Sequence, residues 1–413
     1  MRVSGRNRWR SDGPGLFAVF LAGFGVVAGC GPAPETPRDA AAPPAADGDA
    51  EAVQPRPREA AAPETERAAW PLFRGDAQAR GVAADTLPDR LEVLWTFSDQ
   101  GAGFEAGPVI AGGTVYVGSL DGHFYAVDLT TGERRWSFES DLGFTAPAAV
   151  RGSRVYVGDV DGRFHCLAAA DGELLWDFET AGEIDSGANF HGDRVLVGSQ
   201  DGRLYCLDAL SGELHWSYES DDQIRCFPSV AEANVFLAGC DGRLHVVDVE
   251  RGERIAEVDL EGPTGSTAAV RGERLFVGTE AGTFFGIDWQ AAEAVWRYES
   301  PAGAASYRSS AAVTDGAVIV GSRDRLVHAL HPEDGAPLWT FATRRNVDAS
   351  PVVVGERVFV GSADGRFYAL ALADGEALWE FEAGGGIVGS PAVAEGRLVV
   401  TTSRGDVFCF GAP

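Results

Sequence analysis

The chain has 413 residues and a formal net charge of −27, and arginine supplies all 34 basic side chains because lysine is absent. Hydrophobic residues form 45% of the sequence, which is enough for a packed core and excludes wholesale disorder. The acidic balance argues against nucleic acid and anionic headgroups as partners. Without lysine there is no Schiff base and no P-loop lysine.

The first 29 residues resemble the signal peptide of a bacterial lipoprotein. Four arginines precede the apolar run Leu16–Ala28, which is too short to span a bilayer comfortably. Small residues then lead to Cys30, the position that is lipidated in such signals, although ordinary secretory cleavage is the alternative. We predict a signal peptide over residues 1–29 and a lipid anchor at Cys30. Because Gly31 rather than Asp follows, we expect the outer membrane, with the protein facing the periplasm or the cell surface.

Residues 30–69 are predicted to form a disordered, acidic tether rich in proline and alanine. This composition has almost no large apolar side chain, so it cannot offset the entropy lost on ordering. No later segment is long and apolar enough to span a membrane. The tether would let the domain that begins at residue 70 stand away from the membrane.

From Trp95 onward the chain repeats itself about every 40 residues. The repeated column that carries tryptophan reads Trp95, Trp136, Trp176, Trp216, Ala256, Trp296, Trp339 and Trp379. Seven of the eight copies carry the tryptophan, so the repeat is the strongest signal in the sequence. We interpret these tryptophans as packing between neighbouring repeats.

Each repeat has the composition of four short β-strands. Runs such as Val155–Val157 are rich in β-branched and aromatic residues, and Asp-Gly pairs such as Asp161–Gly162 separate them and favour tight turns. The last repeat stops before its tryptophan strand, whereas the first tryptophan strand, residues 91–97, has no repeat before it. We therefore predict an all-β, eight-bladed propeller over residues 70–413, with four-stranded antiparallel blades and a ring closed by a blade that both chain ends share.

The segment Ala126–Trp136 resembles the tryptophan-docking repeat of the pyrroloquinoline-quinone (PQQ) propeller superfamily. The resemblance covers about residues 70–413, and the lead-in Trp70–Gly75 is similar to one seen in many PQQ-like repeat proteins. Within the superfamily, the size, the blade number and the lipid signal look most like the BamB family of barrel-assembly lipoproteins. That resemblance implies a non-enzymatic, monomeric scaffold without a cofactor, whose partners are other envelope proteins such as barrel-assembly components.

Two alternatives stay open at this stage. The superfamily's enzymes are dehydrogenases that hold PQQ with calcium beside a Cys-Cys disulfide, but this chain has no Cys-Cys pair and its repeat spacing never exceeds 43 residues. Little chain is left over to build an active site or a metal site, so we predict no catalytic residue and no metal ligand. A propeller that senses a ligand or a glycan is the other alternative.

The cysteines of the repeats fall into two groups. Cys166, Cys206 and Cys409 share one column of small residues, which predicts buried free thiols. Cys226 and Cys240 lie at equal distances from Ala233, the expected centre of a hairpin. Since an exported protein meets an oxidising compartment, we predict a disulfide between them, or otherwise two unrelated small residues.

One column at the entry to the innermost strands varies as a binding surface would. It places charges of both signs at one mouth of the channel, at Glu105, Asp185, Arg225, Arg308 and Asp348. The same column holds Phe144 and Val388. These charges would either pair with one another or orient a partner's polar segment.

Overall fold

The computed structural model describes residues 69–98 and 103–412, which form eight β-sheets arranged as a ring of blades. The predicted signal peptide, Cys30 and most of the predicted tether lie outside the described residues. No helix in the described part of the chain is long and apolar enough to cross a bilayer.

The strands follow in chain order, with each blade running from the channel outward. Before the first complete blade come β1 (Val82–Ala83) and β2 (Glu92–Ser98). Blades 1 to 3 contain β3 (Val109–Ala111), β4 (Thr114–Gly118), β5 (His123–Asp128) and β6 (Arg134–Glu139); β7 (Ala149–Arg151), β8 (Arg154–Gly158), β9 (Arg163–Ala168) and β10 (Leu174–Glu179); and β11 (Asn189–His191), β12 (Arg194–Gly198), β13 (Arg203–Asp208) and β14 (Leu214–Glu219).

Blades 4 to 6 contain β15 (Ser229–Ala231), β16 (Asn234–Ala238), β17 (Arg243–Asp248) and β18 (Arg254–Asp259); β19 (Ala269–Arg271), β20 (Arg274–Gly278), β21 (Thr283–Asp288) and β22 (Glu293–Glu299); and β23 (Ala312–Val313), β24 (Val318–Gly321), β25 (Leu326–Leu330) and β26 (Pro337–Ala342). Blade 7 contains β27 (Val352–Val354), β28 (Arg357–Gly361), β29 (Arg366–Ala371) and β30 (Ala377–Glu382), and blade 8 contains β31 (Ala392–Ala394), β32 (Arg397–Thr401) and β33 (Asp406–Gly411).

The two chain ends share blade 8, as the sequence predicted. Strand β2 pairs antiparallel with β33, so that Trp95 lies opposite Cys409, and completes that blade as its outermost strand. The innermost strands of blades 8 and 1 also contact each other. The predicted eight-bladed, all-β ring with a shared closing blade is therefore confirmed. Closure hides sheet edges that would otherwise be open to pairing.

Tryptophan side chains join neighbouring blades at the outer rim. The indole of Trp136 packs on Gly172 of the next blade and donates its Nε1 hydrogen to the carbonyl of Ala169 at 3.0 Å. A Cβ added at Gly172 would lie 2.6 Å from the ring, and its φ is +77°, so this turn requires glycine. The tryptophans at positions 95, 176, 216, 296 and 339 pack on the corresponding glycine in the same way.

The joint between blades 4 and 5 is built differently. Ala256 stands in place of the tryptophan there, and Ala292 occupies the position that is glycine in those six joints. Trp289 of blade 5 fills the space, with its ring 5.2 Å from that of Phe236 and its Nε1 bonded to the carbonyl of Gly272. A tryptophan from the opposite side of the joint thus replaces the missing one.

The cysteines partly follow the sequence expectation. Cys166, Cys206 and Cys409 are buried free thiols. The predicted disulfide between Cys226 and Cys240 is wrong, because Cys226 is a free thiol in the structure.

The hairpin register explains the error. Val230 pairs with Val235, so the turn centre lies between Glu232 and Ala233, and the register continued along the chain places Cys226 opposite Gly239. Neighbouring residues on an extended chain point to opposite sides, so a shift of one residue turns the side chains of Cys226 and Cys240 away from each other. The Sγ of Cys226 instead accepts the backbone N–H of Ala238 at 3.3 Å.

Candidate functional site

The two ends of the central channel differ. Residues 70–85, which we call the N-terminal plug, run around the inside of the ring at the level of the innermost strands. The plug forms hydrogen bonds with residues in every blade. It bonds mostly through its backbone, and in blade 8 through the carboxylate of Asp85. The residues of blades 1 to 8 that it contacts are, in order, Ile110, Val150, Asn189, Val230, Val270, Val313, Val353 and Gly396. Strand β1, within the plug, pairs in parallel with β27 and makes blade 7 five-stranded, where the sequence predicted four.

A single arginine lies fully buried within the plug. Arg74 donates from Nη2 to the carbonyls of Ala311 and Pro351 at 3.0 and 2.5 Å. Burial lowers the pKa of Arg74 to about 9, and the nearby charge of Asp76 opposes this shift. Gly81 lies against the guanidinium, with φ at +65°, so that a Cβ there would overlap Nη2. The plug is therefore held mainly by its backbone and by one buried charged side chain.

The opposite end of the channel is an open cavity, which we call the vestibule. It has a volume of about 170 Å³, and Phe73 of the plug forms part of its wall. Phe73 packs against Phe227, with ring centroids 5.8 Å apart. The plug thus closes one end of the channel and also forms part of the wall of the vestibule at the other end.

All five charged residues that the sequence singled out line this vestibule. Glu105 comes from blade 1, Asp185 from blade 3, Arg225 from blade 4, Arg308 from blade 6 and Asp348 from blade 7. Val388 also lines it, whereas Phe144 is fully buried. Phe144 packs against Phe124 instead, with ring centroids 5.6 Å apart.

The charges at the vestibule are mostly paired, but largely with partners that the sequence analysis did not identify. Arg225 binds Asp185 at 2.7 Å, and this is the one ion pair that joins two of the five predicted residues, all of which the structure describes. Asp348 accepts two hydrogen bonds from Arg323, at 2.9 and 3.0 Å. Arg308 reaches Glu280 at 3.3 Å. Arg323 and Glu280 lie at an equivalent position of the turn that follows the second strand of a blade. A single sequence does not reveal that residues of this turn pair with the charged residues of the other column.

Several buried polar atoms at the vestibule lack a hydrogen-bond partner among the described residues. These atoms are Thr145 Oγ1, Asp185 Oδ1 and Arg308 Nε. Burial raises the pKa of Asp185, against the opposing charge of Arg225. Burial also lowers the pKa of Arg308, and the like charge of Arg323 adds to this shift. Buried polar atoms are normally hydrogen-bonded, so these three favour a polar occupant.

Beneath the charged ring lies a belt of hydroxyl groups that joins neighbouring blades. Each backbone N–H donates to the hydroxyl at the equivalent position of the next blade: Phe227 to Thr267, Thr267 to Ser310, Ser310 to Ser350 and Ser350 to Ser390, at 2.9–3.3 Å. The belt satisfies backbone groups that face the channel, and it fixes the spacing of the ring above it.

Buried histidine–aspartate pairs lie between blades, away from the vestibule. The pairs are His165 with Asp159, His245 with Asp241 and His328 with Asp324, at 2.8, 2.8 and 3.0 Å. Tyr218 and Tyr298 of the preceding blades bond to His245 and His328. Over residues 69–98 and 103–412 no group of three or more histidine, cysteine or acidic residues could hold a metal ion. Through the bonds from Tyr218 and Tyr298, two of these pairs join neighbouring blades.

The closed ring of eight blades, the tryptophan–glycine joints and the polar vestibule define a β-propeller of tryptophan-docking repeats. A profile of the family described as outer membrane protein assembly factor BamB matches residues 80–184, 160–306 and 304–412. The chain therefore belongs to this family. No curated protein sequence matches the chain significantly.

Solved structures with the same fold include a BamB protein and dehydrogenases. BamB from Moraxella catarrhalis is 23% identical, with a TM-score of 0.67 over 78% of this chain and 98% of that one. The quinohemoprotein alcohol dehydrogenase from Comamonas testosteroni is 16% identical, with a TM-score of 0.72 over 84% and 81%. A europium-containing methanol dehydrogenase is 15% identical, with a TM-score of 0.70 over 84% and 99%. At these identities the likeness concerns the fold alone.

Proposed function

We propose that the protein is a non-enzymatic scaffold of the cell envelope that acts in the assembly of outer-membrane β-barrel proteins. The family match over most of the propeller is the observation that carries this proposal. In this proposal, lipidation at Cys30 tethers the chain to the outer membrane, and residues 30–69 give the propeller its reach.

The vestibule supports docking better than catalysis. Its volume of about 170 Å³ lies below the roughly 300–1,000 Å³ that is usual for pockets holding small molecules and cofactors. Its charges are held in ion pairs, and Glu105 is an exposed acid at its edge. Charged groups around a shallow cavity orient a partner and set the rate of association more than they add affinity.

Site-specific cross-linking in the native membrane tests the proposal. A photo-reactive amino acid at Glu105 should capture a barrel-assembly component. The matched control is the same group at Asp374, an exposed residue in the turn between β29 and β30, which lies at the opposite end of blade 7. Capture of no barrel-assembly component from either position would contradict the scaffold role.

Lipidation needs its own test. We expect radiolabelled palmitate to be incorporated into the protein and the Cys30→Ala variant to lose both the label and the membrane association. Cys409→Ala is a suitable control, because Cys409 is a buried free thiol. Equal labelling of wild type and Cys30→Ala would show that the anchor is elsewhere.

A quinoprotein dehydrogenase is the second candidate, favoured by the likeness in fold to PQQ-type alcohol dehydrogenases. The residues at the vestibule do not fit that group well, because the cavity is small and no cluster of calcium ligands occurs in the described residues. Addition of PQQ and calcium should therefore give neither a bound absorbance band nor dye-linked oxidation of alcohols. Either signal would support the enzyme.

A further inference from the structure

The positive charges at the vestibule are gathered on one side. Arg225 lies on blade 4 and Arg308 on blade 6, with Gly265 at the equivalent position of blade 5 between them. On the far side are Glu105 of blade 1 and Val388 of blade 8. Both arginines that line the vestibule therefore lie on one side of it, where Asp185 and Glu280 pair with them, and Glu105 lies on the other side.

Arg308 is the least satisfied of the arginines at the vestibule. Its only ion pair among the described residues is the contact of 3.3 Å with Glu280, whereas Arg225 and Arg323 bind their carboxylates at 2.7 and 2.9 Å. Its Nε is buried and has no hydrogen-bond partner among the described residues. A guanidinium offers a fork of donors whose geometry matches a carboxylate, and here one arm of that fork is unused.

Gly265 leaves open space between the two arginines. A Cβ built there meets no atom within 4 Å, and its φ lies outside the left-handed region. The hydroxyls of Thr267 and Ser310 line the cavity beneath this gap. The gap thus places an arginine and two hydroxyl groups beside a position that has no side chain.

We propose that this gap binds a carboxylate of a partner's polypeptide, held by Arg308 with Arg225 beside it, over Gly265. This inference rests on the proposed scaffold function and names the chemistry of the docking segment. The carboxylate belongs either to an acidic side chain or to the end of a chain, since both present the same group. Glu105, across the vestibule, repels a second acid and so favours one orientation of the segment.

The test uses the full chain labelled with ¹⁵N-arginine and purified from membranes. The readout is the Nε–H resonance of Arg308, assigned by its loss in Arg308→Gln. The probes are acetyl-Gly-Asp-Asp-Gly-amide, its Asn-Asn counterpart, and the Asn-Asn peptide with a free carboxyl end. We expect a saturable shift with at least one carboxylate probe and an apparent affinity at least about tenfold lower for the Asn-Asn amide.

Two variants separate binding from folding. Gly265→Leu fills the gap and keeps both arginines in the chain, and it should abolish the shift while leaving the thermal unfolding midpoint nearly unchanged. Glu105→Gln removes a charge at the same mouth but across the vestibule from the gap, and it should bind the acidic peptide at least as well as wild type. A shift of equal size in Gly265→Leu would overturn the proposal.

The remaining outcomes are also decisive. A shift with the Asp-Asp amide assigns the site to acidic side chains, and a shift with the free-ended peptide alone assigns it to a chain terminus. No shift with either carboxylate probe overturns the proposal. If cross-linking at Glu105 captures barrel-assembly components equally in wild type and Gly265→Leu, the scaffold function stands and the carboxylate site is wrong.

Discussion

The two ends of the channel are formed by the same eight innermost strands, yet different parts of the chain complete them. At one end the N-terminal plug bonds to every blade, and most of its contacts join backbone groups and do not depend on side-chain identity. At the other end the ring of side chains differs from blade to blade, from Glu105 to Gly265 to Arg308. Backbone bonding provides closure, whereas variable side chains provide a surface that can distinguish partners.

The difference has a physical cause. The inner edge of each blade presents backbone N–H and C=O groups to the channel, and buried groups of this kind need partners. The plug supplies them from its own backbone at one end, and hydroxyl groups supply them near the vestibule. The ring above those hydroxyls is then free to vary, because the backbone beneath it is already satisfied.

The largest expected effect comes from removing the large buried side chain of Trp70 from the plug. Trp70 is only 3% exposed and packs on Gly75, so Trp70→Ala should lower the free energy of unfolding by about 3–5 kcal/mol. Calorimetric unfolding would measure the loss. The control is Leu378→Ala on the outer rim, where the side chain is 53% exposed and the expected change is within about 0.5 kcal/mol. Equal losses for the two variants would mean that the plug does not stabilise the ring.

A smaller effect is expected where the plug meets Arg74. Gly81→Ala should cost about 2–3 kcal/mol, because the added Cβ would overlap the Arg74 guanidinium and the φ of +65° is strained for alanine. Gly112→Ala has a similar φ of +56° but no atom within 4 Å, so it should cost about 1 kcal/mol from the backbone alone. Urea unfolding of both variants isolates the contact with Arg74, and the two costs would be equal if that contact contributes nothing.

The vestibule should respond less to substitution. Arg323→Gln breaks the two hydrogen bonds to Asp348, which are partly open to solvent, and should cost about 1 kcal/mol. The control Arg203→Gln breaks a more exposed pair with Glu219 and should be nearly neutral. If Arg323→Gln lowered the free energy of unfolding as much as Trp70→Ala does, the two ends of the channel would not differ in their contribution to stability.

The smallest expected effect is a difference in titration between two aspartates. Burial holds the pKa of Asp185 above its usual range, so its contribution to stability is present at low pH and is lost as the pH rises through the folded-state pKa. The hydrogen bond from Arg135 lowers the pKa of Asp128 to about 2, so its contribution is present above the usual range and is lost as the pH falls towards 2. Carboxyl ¹³C titration should show these opposite shifts, and equal pKa values would contradict the buried character of Asp185.

Features that recur in every blade were predictable from the sequence. The tryptophan column, the glycine turns and the unpaired first strand predicted eight blades and their closure, because each reports a local contact repeated many times. Features that occur once were harder to predict. The Cys226–Cys240 prediction was wrong because a hairpin centre displaced by half a residue reverses the facing of a side chain. The gap in the tryptophan column at Ala256 was visible in the sequence, but its compensation by Trp289 was not.

The candidate site divides in the same way. The column position placed Glu105, Asp185, Arg225, Arg308 and Asp348 at one mouth, and the structure gathers all five around one cavity. The partners Arg323 and Glu280 lie in a different column of the repeat, and the plug that carries Phe73 precedes the first complete blade.

The sequence by itself determined the repeat, the closed ring and the level at which variable charges lie, because short-range strand and turn preferences act independently in each blade. Only the tertiary structure decided that residues 70–85 fill one end of the channel and which charges pair at the other. Those contacts join residues from tens to hundreds of positions apart, with the bond from Arg74 to Pro351 among the longest, and their energies depend on burial that exists only after the ring has closed.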